Sequence, residues 1–152
     1  MTRMTDLTRT AIAATLHCLT GCAIGEVAGM AVGTALGWGT APTVVLAVVL
    51  AFAFGYTFTA TSLRRAGMTL GAALGVALVA DTASIAVMEI VDNAVVLAVP
   101  GALDAGLDSG LFWASLVLAL AVAFVAAVPV NRWLIARGRG HAVAHAHHAH
   151  GS

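Results

Sequence analysis

Four apolar stretches, each long enough to cross a bilayer, are joined by short connectors. They cover about residues 9–37, 42–63, 67–99 and 111–136. A helix rises about 1.5 Å per residue, so roughly 20 mostly apolar residues reach across the hydrocarbon core. Short connectors make successive helices antiparallel. The fold class read from this pattern is an all-α membrane protein with four transmembrane helices. Residues 1–137 form that domain, and residues 138–152 are expected to be a disordered, His-rich cytoplasmic tail. The third run exceeds the length a span needs, so part of it is expected to tilt, kink or lie at the interface.

Basic residues set the orientation. All seven are Arg, at positions 3, 9, 64, 65, 132, 137 and 139. In a four-span chain every one falls on the same side. The positive-inside rule places that side, with both termini, in the cytoplasm. Trp113 and Trp133 bracket the fourth run about 30 Å apart by helical rise, as interfacial aromatic residues do. Trp38 marks the outer end of the first run, and Pro129 is expected to bend the fourth helix.

Charged residues are 9% of the chain, against about 25% in soluble domains, and hydrophobic residues are 61%. No basic patch is present, which excludes nucleic acid as a partner. The lipid bilayer is the first expected partner. Two cysteines are too few for a disulfide scaffold. Cys18 and Cys22 lie four apart on one helix, a poor geometry for an S–S bond, and are read as reduced thiols. The first apolar run is much longer than a signal-peptide core and contains Glu26, so it is read as a retained span.

Two ridges run along that first span at four-residue spacing. Gly21, Gly25, Gly29, Gly33 and Gly37 form one. Repeated G-x-x-x-G lets another helix approach closely, within one chain or between copies in a homo-oligomer. One residue onward, Cys18, Cys22, Glu26, Met30 and Thr34 form the second ridge, with His17 adjacent. Singly, these residues suit ordinary packing. Together, thiol, imidazole and thioether are ligands for Cu(I) and other soft or borderline ions. An unpaired charged carboxylate at mid-membrane costs a few kcal/mol, so Glu26 calls for a partner. The third span offers Asp81, Ser84, Met88, Glu89, Asp92 and Asn93. With the span centres near Ile24 and Ala80, Glu26 and Asp81 are expected at similar depth. The candidate metal set is therefore His17, Cys18, Cys22, Glu26, Met30, Asp81, Met88 and Glu89. An auxiliary metal-binding tail is read from His141, His145, His147, His148 and His150.

The segment HCLTGCAIGEVAG, followed later by VMEIVDN, resembles a family of small bacterial membrane proteins catalogued as a domain of unknown function. The shared pattern is His-Cys-x3-Cys-x3-Glu in the first helix, here His17, Cys18, Cys22 and Glu26. An acidic segment in the third helix completes it, here Met88, Glu89, Asp92 and Asn93. The resemblance implies a bacterial inner-membrane location and carries a hint of copper.

Three functions fit these residues. The first is a binder or permease for a soft cation, copper foremost, with zinc, nickel or mercury as alternatives and a metal chaperone or another membrane subunit as a partner. The second is a structural or accessory subunit whose polar residues glue helices together. The third is a membrane redox protein, which Cys-x3-Cys in mid-helix fits poorly. No Walker A sequence is present, so no nucleotide is expected, and no nucleophile–base–acid set marks an enzyme.

Overall fold

The computed structural model describes residues 2–138. They form four α-helices: α1 (Thr2–Ala35), α2 (Thr40–Arg65), α3 (Leu70–Ala98) and α4 (Gly110–Ala136). Among the described residues there is no strand. Each helix is long and apolar enough to cross a membrane, the architecture of a multi-pass membrane protein. The histidines of the C-terminal tail lie outside the described residues.

The helix ends follow from local chemistry. α1 stops before Gly37, which takes the left-handed conformation (φ +68°). There the Trp38 amide donates to Gly33 O at 2.8 Å and the Gly37 amide to Thr34 O at 3.2 Å. That pair of bonds is a Schellman cap, and it needs a residue free of the Cβ penalty at this point. α2 ends the same way at Gly67 (φ +94°), with Met68 N–H on Leu63 O and Gly67 N–H on Arg64 O. Thr69 caps α3, its hydroxyl oxygen accepting from the Ala72 amide at 3.3 Å, and Ser109 sits at the N-cap of α4. α3 is one continuous helix of 29 residues, shorter than the apolar run because Gly67 and Thr69 punctuate its start. α4 continues through Pro129, which lies on its exposed side.

Consecutive helices are neighbours, and α4 closes the bundle against α1, leaving α1 and α3 to meet across the diagonal. Each helix buries small residues four apart. On α2 these are Thr43, Ala51, Gly55 and Thr59; on α4 they are Ser115, Ala119, Ala123, Ala127 and Asn131. Such ridges bring backbones close where hydrocarbon outside gives apolar side chains no reason to turn inward. Large apolar residues accordingly face outward, among them Val49, Val79, Ile90, Val117 and Val125.

The glycines of α1 lie against α2 of the same chain. A Cβ on Gly21 would come within 2.9 Å of Gly55 Cα, one on Gly25 within 2.5 Å of Ala51 Cα, and one on Gly29 within 2.5 Å of Ala47 Cα. Gly33 meets the Thr43 side chain. The partner positions descend 55, 51, 47, 43, the antiparallel counterpart of the glycine series. Gly37 does not belong to this ridge: it lies past the helix end, and a Cβ there would meet nothing within 4 Å. With this face occupied by α2, these glycines are not available as a contact between copies.

Candidate functional site

The interior of the bundle is a polar seam running along the α1–α3 diagonal. It begins nearest the arginine-bearing end, at Asn131 of α4. The Asn131 Nδ2 group donates to Thr15 Oγ1 at 2.8 Å and to Ser84 Oγ at 2.9 Å. Thr15 passes its own hydroxyl proton to Ala11 O at 2.7 Å. One amide thus ties three helices together.

One turn further along α1, Cys18 Sγ donates to Asp81 Oδ1 at 3.6 Å, with both residues fully buried. Next, Cys22 Sγ stands 4.0 Å from Met88 Sδ. Glu89 lies beside Cys22, and Glu26 lies beside Asp92. From Thr15 to Glu26 this seam extends about 16 Å by helical rise. Both cysteines are free thiols.

The acidic groups have little internal compensation. Glu89 and Asp92 are only 5% and 4% exposed. Neither Glu89 carboxyl oxygen has a hydrogen-bond partner at normal distance, nor do Asp92 Oδ1 and Glu26 Oε1. The Asn93 amide, close enough to help, donates instead to the Glu89 main-chain carbonyl at 2.7 Å. The chain has no Lys, and no Arg occurs between positions 9 and 64 or between 65 and 132. Leaving a buried polar group unmatched costs about 1–3 kcal/mol, and more for a charge, so burying these acids is costly to the bundle.

A cavity of about 490 Å3 opens above the seam, between the helix ends farthest from the arginines. Glu26, Glu89, Asp92 and Asn93 line its deep part, Met30 and Ser115 its sides, and Trp38 and Asp104 its rim. The connection 99–109 folds over one side, held in part by Trp113 Nε1 donating to Leu107 O at 2.8 Å.

The residues singled out from the sequence are thus divided among several places. Cys18, Cys22, Glu26, Asp81, Met88 and Glu89 all belong to the seam, and Met30 lines the cavity. His17 does not join them. It points toward α2, where its ring meets Phe58 edge-on with centroids 6.1 Å apart. One residue on a helix is a turn of about 100°, enough to send His17 away from the face of Cys18. The depth match between Glu26 and Asp81 also fails: Asp81 pairs with Cys18, about two turns from Glu26, and Glu26 is level with Asp92. Register here is set by the glycine contacts and by Ile85 packing on Gly55, not by the midpoints of apolar runs. Among the described residues, no three His, Cys, Asp or Glu side chains converge closely enough to hold a metal ion.

Asn131 and Thr15 carry structural weight that the sequence alone does not reveal. Asn131 had one visible signal, its place four residues beyond Ala127 in the buried series of α4. Residues 8–140 match the family described as Domain of unknown function (DUF4396). No curated protein and no solved structure matches the chain.

Proposed function

From the premise that the chain belongs to the family described as Domain of unknown function (DUF4396), we propose that it is a membrane protein binding a soft or borderline metal cation, copper foremost, between α1 and α3. Cys22, Met88 and Glu89 are the ligands in this reading. The observation that supports it is the approach of Cys22 Sγ to Met88 Sδ at 4.0 Å, with the buried Glu89 carboxyl beside the thiol. Cys22 and Met88 would hold a soft ion through sulfur donors, and Glu89 would supply an oxygen beside them. The thioether lies outside the His, Cys, Asp and Glu groups that fail to converge, so this set needs only two of those side chains.

Binding deprotonates Cys22, because the thiolate is the ligand. The proton would be released to the cavity that Glu89 lines. An ion arriving at the open end would meet the carboxyls before the sulfurs. Cys18 and Asp81 lie beyond, toward the arginine end, which the positive-inside rule assigns to the cytoplasm. This order suits passage or hand-over toward that side.

A second reading, that of a structural subunit, draws on the Asn131–Thr15–Ser84 network. Its hydrogen bonds join three helices, as interhelical glue does. That network lies below the sulfurs and is compatible with either function.

The test is Cu(I) loading of the full-length protein in detergent under anaerobic conditions, followed by elemental analysis. The background is a variant with His141, His145, His147, His148 and His150 all replaced by Ala. Retained stoichiometric copper, lost on Cys22→Ser and reduced on Met88→Leu, is the expected result. Equal copper retention with and without Cys22 ends this reading.

A further inference from the structure

The cavity has a composition that a metal ion alone does not explain. Its deep part is acidic: Glu26 and Asp92 face each other there, and Glu26 Oε1, Asp92 Oδ1 and both Glu89 carboxyl oxygens lack a hydrogen-bond partner at normal distance. Its rim carries a further acid, the exposed Asp104. Between them the walls are made mostly by valine, leucine and alanine side chains of α2, α3 and α4, with Phe112 among them. A hydrated inorganic ion gains nothing from apolar walls, since its water shell stays polar throughout. A cation carrying its own hydrocarbon would gain from both kinds of surface. The volume of about 490 Å3 is that of a small-molecule site. Along α1, the drop from Thr34 at the rim to Glu26 is about 12 Å by helical rise, so the cavity is deep enough for an extended guest.

We propose that this cavity binds an aliphatic diamine, with one ammonium group on Glu26 and Asp92 at the floor, the other on Asp104 at the rim, and the methylene chain against the apolar walls. Ammonium groups donate charge-assisted hydrogen bonds to carboxylates, which supplies what the floor oxygens lack. Each methylene removed from water adds about 0.8 kcal/mol of burial. Trp38 also lines the rim, and an indole ring is a favourable neighbour for an ammonium group. Anionic ligands are repelled by the same carboxyls. A monoamine fills the floor and leaves Asp104 unused. The inference goes beyond the metal reading and does not rest on it, because none of the three anchoring carboxyls belongs to the proposed copper ligands.

Isothermal titration of the full-length protein in detergent at neutral pH tests it, with cadaverine and n-pentylamine as the paired probes. They share a carbon chain and differ by one ammonium group. Cadaverine is expected to bind about tenfold tighter, the worth of one partly exposed charged contact. Asp104→Asn, on an exposed connection where folding is not at stake, is expected to bring the two affinities together. Asp92→Asn is expected to weaken both probes. Equal affinity of the two amines for the unaltered protein overturns the proposal. So does the absence of saturable binding by either, or a cadaverine preference that survives Asp104→Asn.

Discussion

Replacing Gly25 by Ala should be the most damaging single-methyl change in the α1–α2 interface. The added carbon would fall 2.5 Å from Ala51 Cα and 2.7 Å from the Leu50 carbonyl carbon. Carbon atoms rest about 3.5–4.0 Å apart, so the helices must separate by about 1 Å or more. The obstructing atoms are main chain and cannot rotate aside. Separation at Gly25 also loosens the contacts of Gly21 and Gly29, which share the ridge. Overpacking of this kind costs about 1–3 kcal/mol, while Ala gains back up to about 1 kcal/mol in helix propensity. A net loss of about 2 kcal/mol is expected at the upper end. Two controls bracket it. Gly71→Ala and Gly75→Ala on α3 meet nothing within 4 Å and should be neutral or mildly stabilising. Gly55→Ala meets only the tip of the Ile85 side chain, which can turn, and should fall between. Unfolding in mixed micelles with increasing SDS, followed by circular dichroism, reads the ranking. If Gly25→Ala unfolds no earlier than Gly71→Ala, the close approach of α1 and α2 is wrong.

Asn131→Leu removes both interhelical hydrogen bonds of a residue that is 1% exposed, and should cost about 1–2 kcal/mol by the same unfolding assay. A midpoint unchanged by that substitution would show that the amide contributes no glue. Cys18 and Cys22 are buried and reduced, so a maleimide should label neither in native micelles and both after denaturation. Rapid labelling of the native protein would contradict the packing of the seam.

What the sequence discloses here is what the solvent dictates. The apolar runs give four helices, with ends within about three residues except at the start of α1, which begins seven residues earlier at Thr2, because length against a hydrocarbon slab depends on no partner. At Gly37 the apolar run continues two residues past the helix end, whereas α2 runs two residues beyond its apolar run to Arg65, and in both places the capping chemistry sets the boundary. The four-residue spacing of Cys18, Cys22 and Glu26 places them on one face without knowing what they face. Their partners depend on register, and register comes from contacts such as Gly25 on Ala51 that no single helix encodes. His17 shows the limit of adjacency: next to Cys18 in the chain, it looks toward Phe58 instead. The cavity was illegible for a further reason. It exists only once the connection 99–109 folds across the ends of helices far apart in sequence.

The glycine-mediated approach of α1 to α2 lies within the first half of the chain, and this bears on how the protein is made. A ribosome delivers α1 and α2 before α3, and their matching small-residue series lets them zip together as soon as both have emerged. During that interval Glu26 is already in the bilayer, while Glu89 and Asp92 are still to be translated. The partner that Glu26 has in the finished bundle, Asp92, is thus supplied only by the later half of the chain.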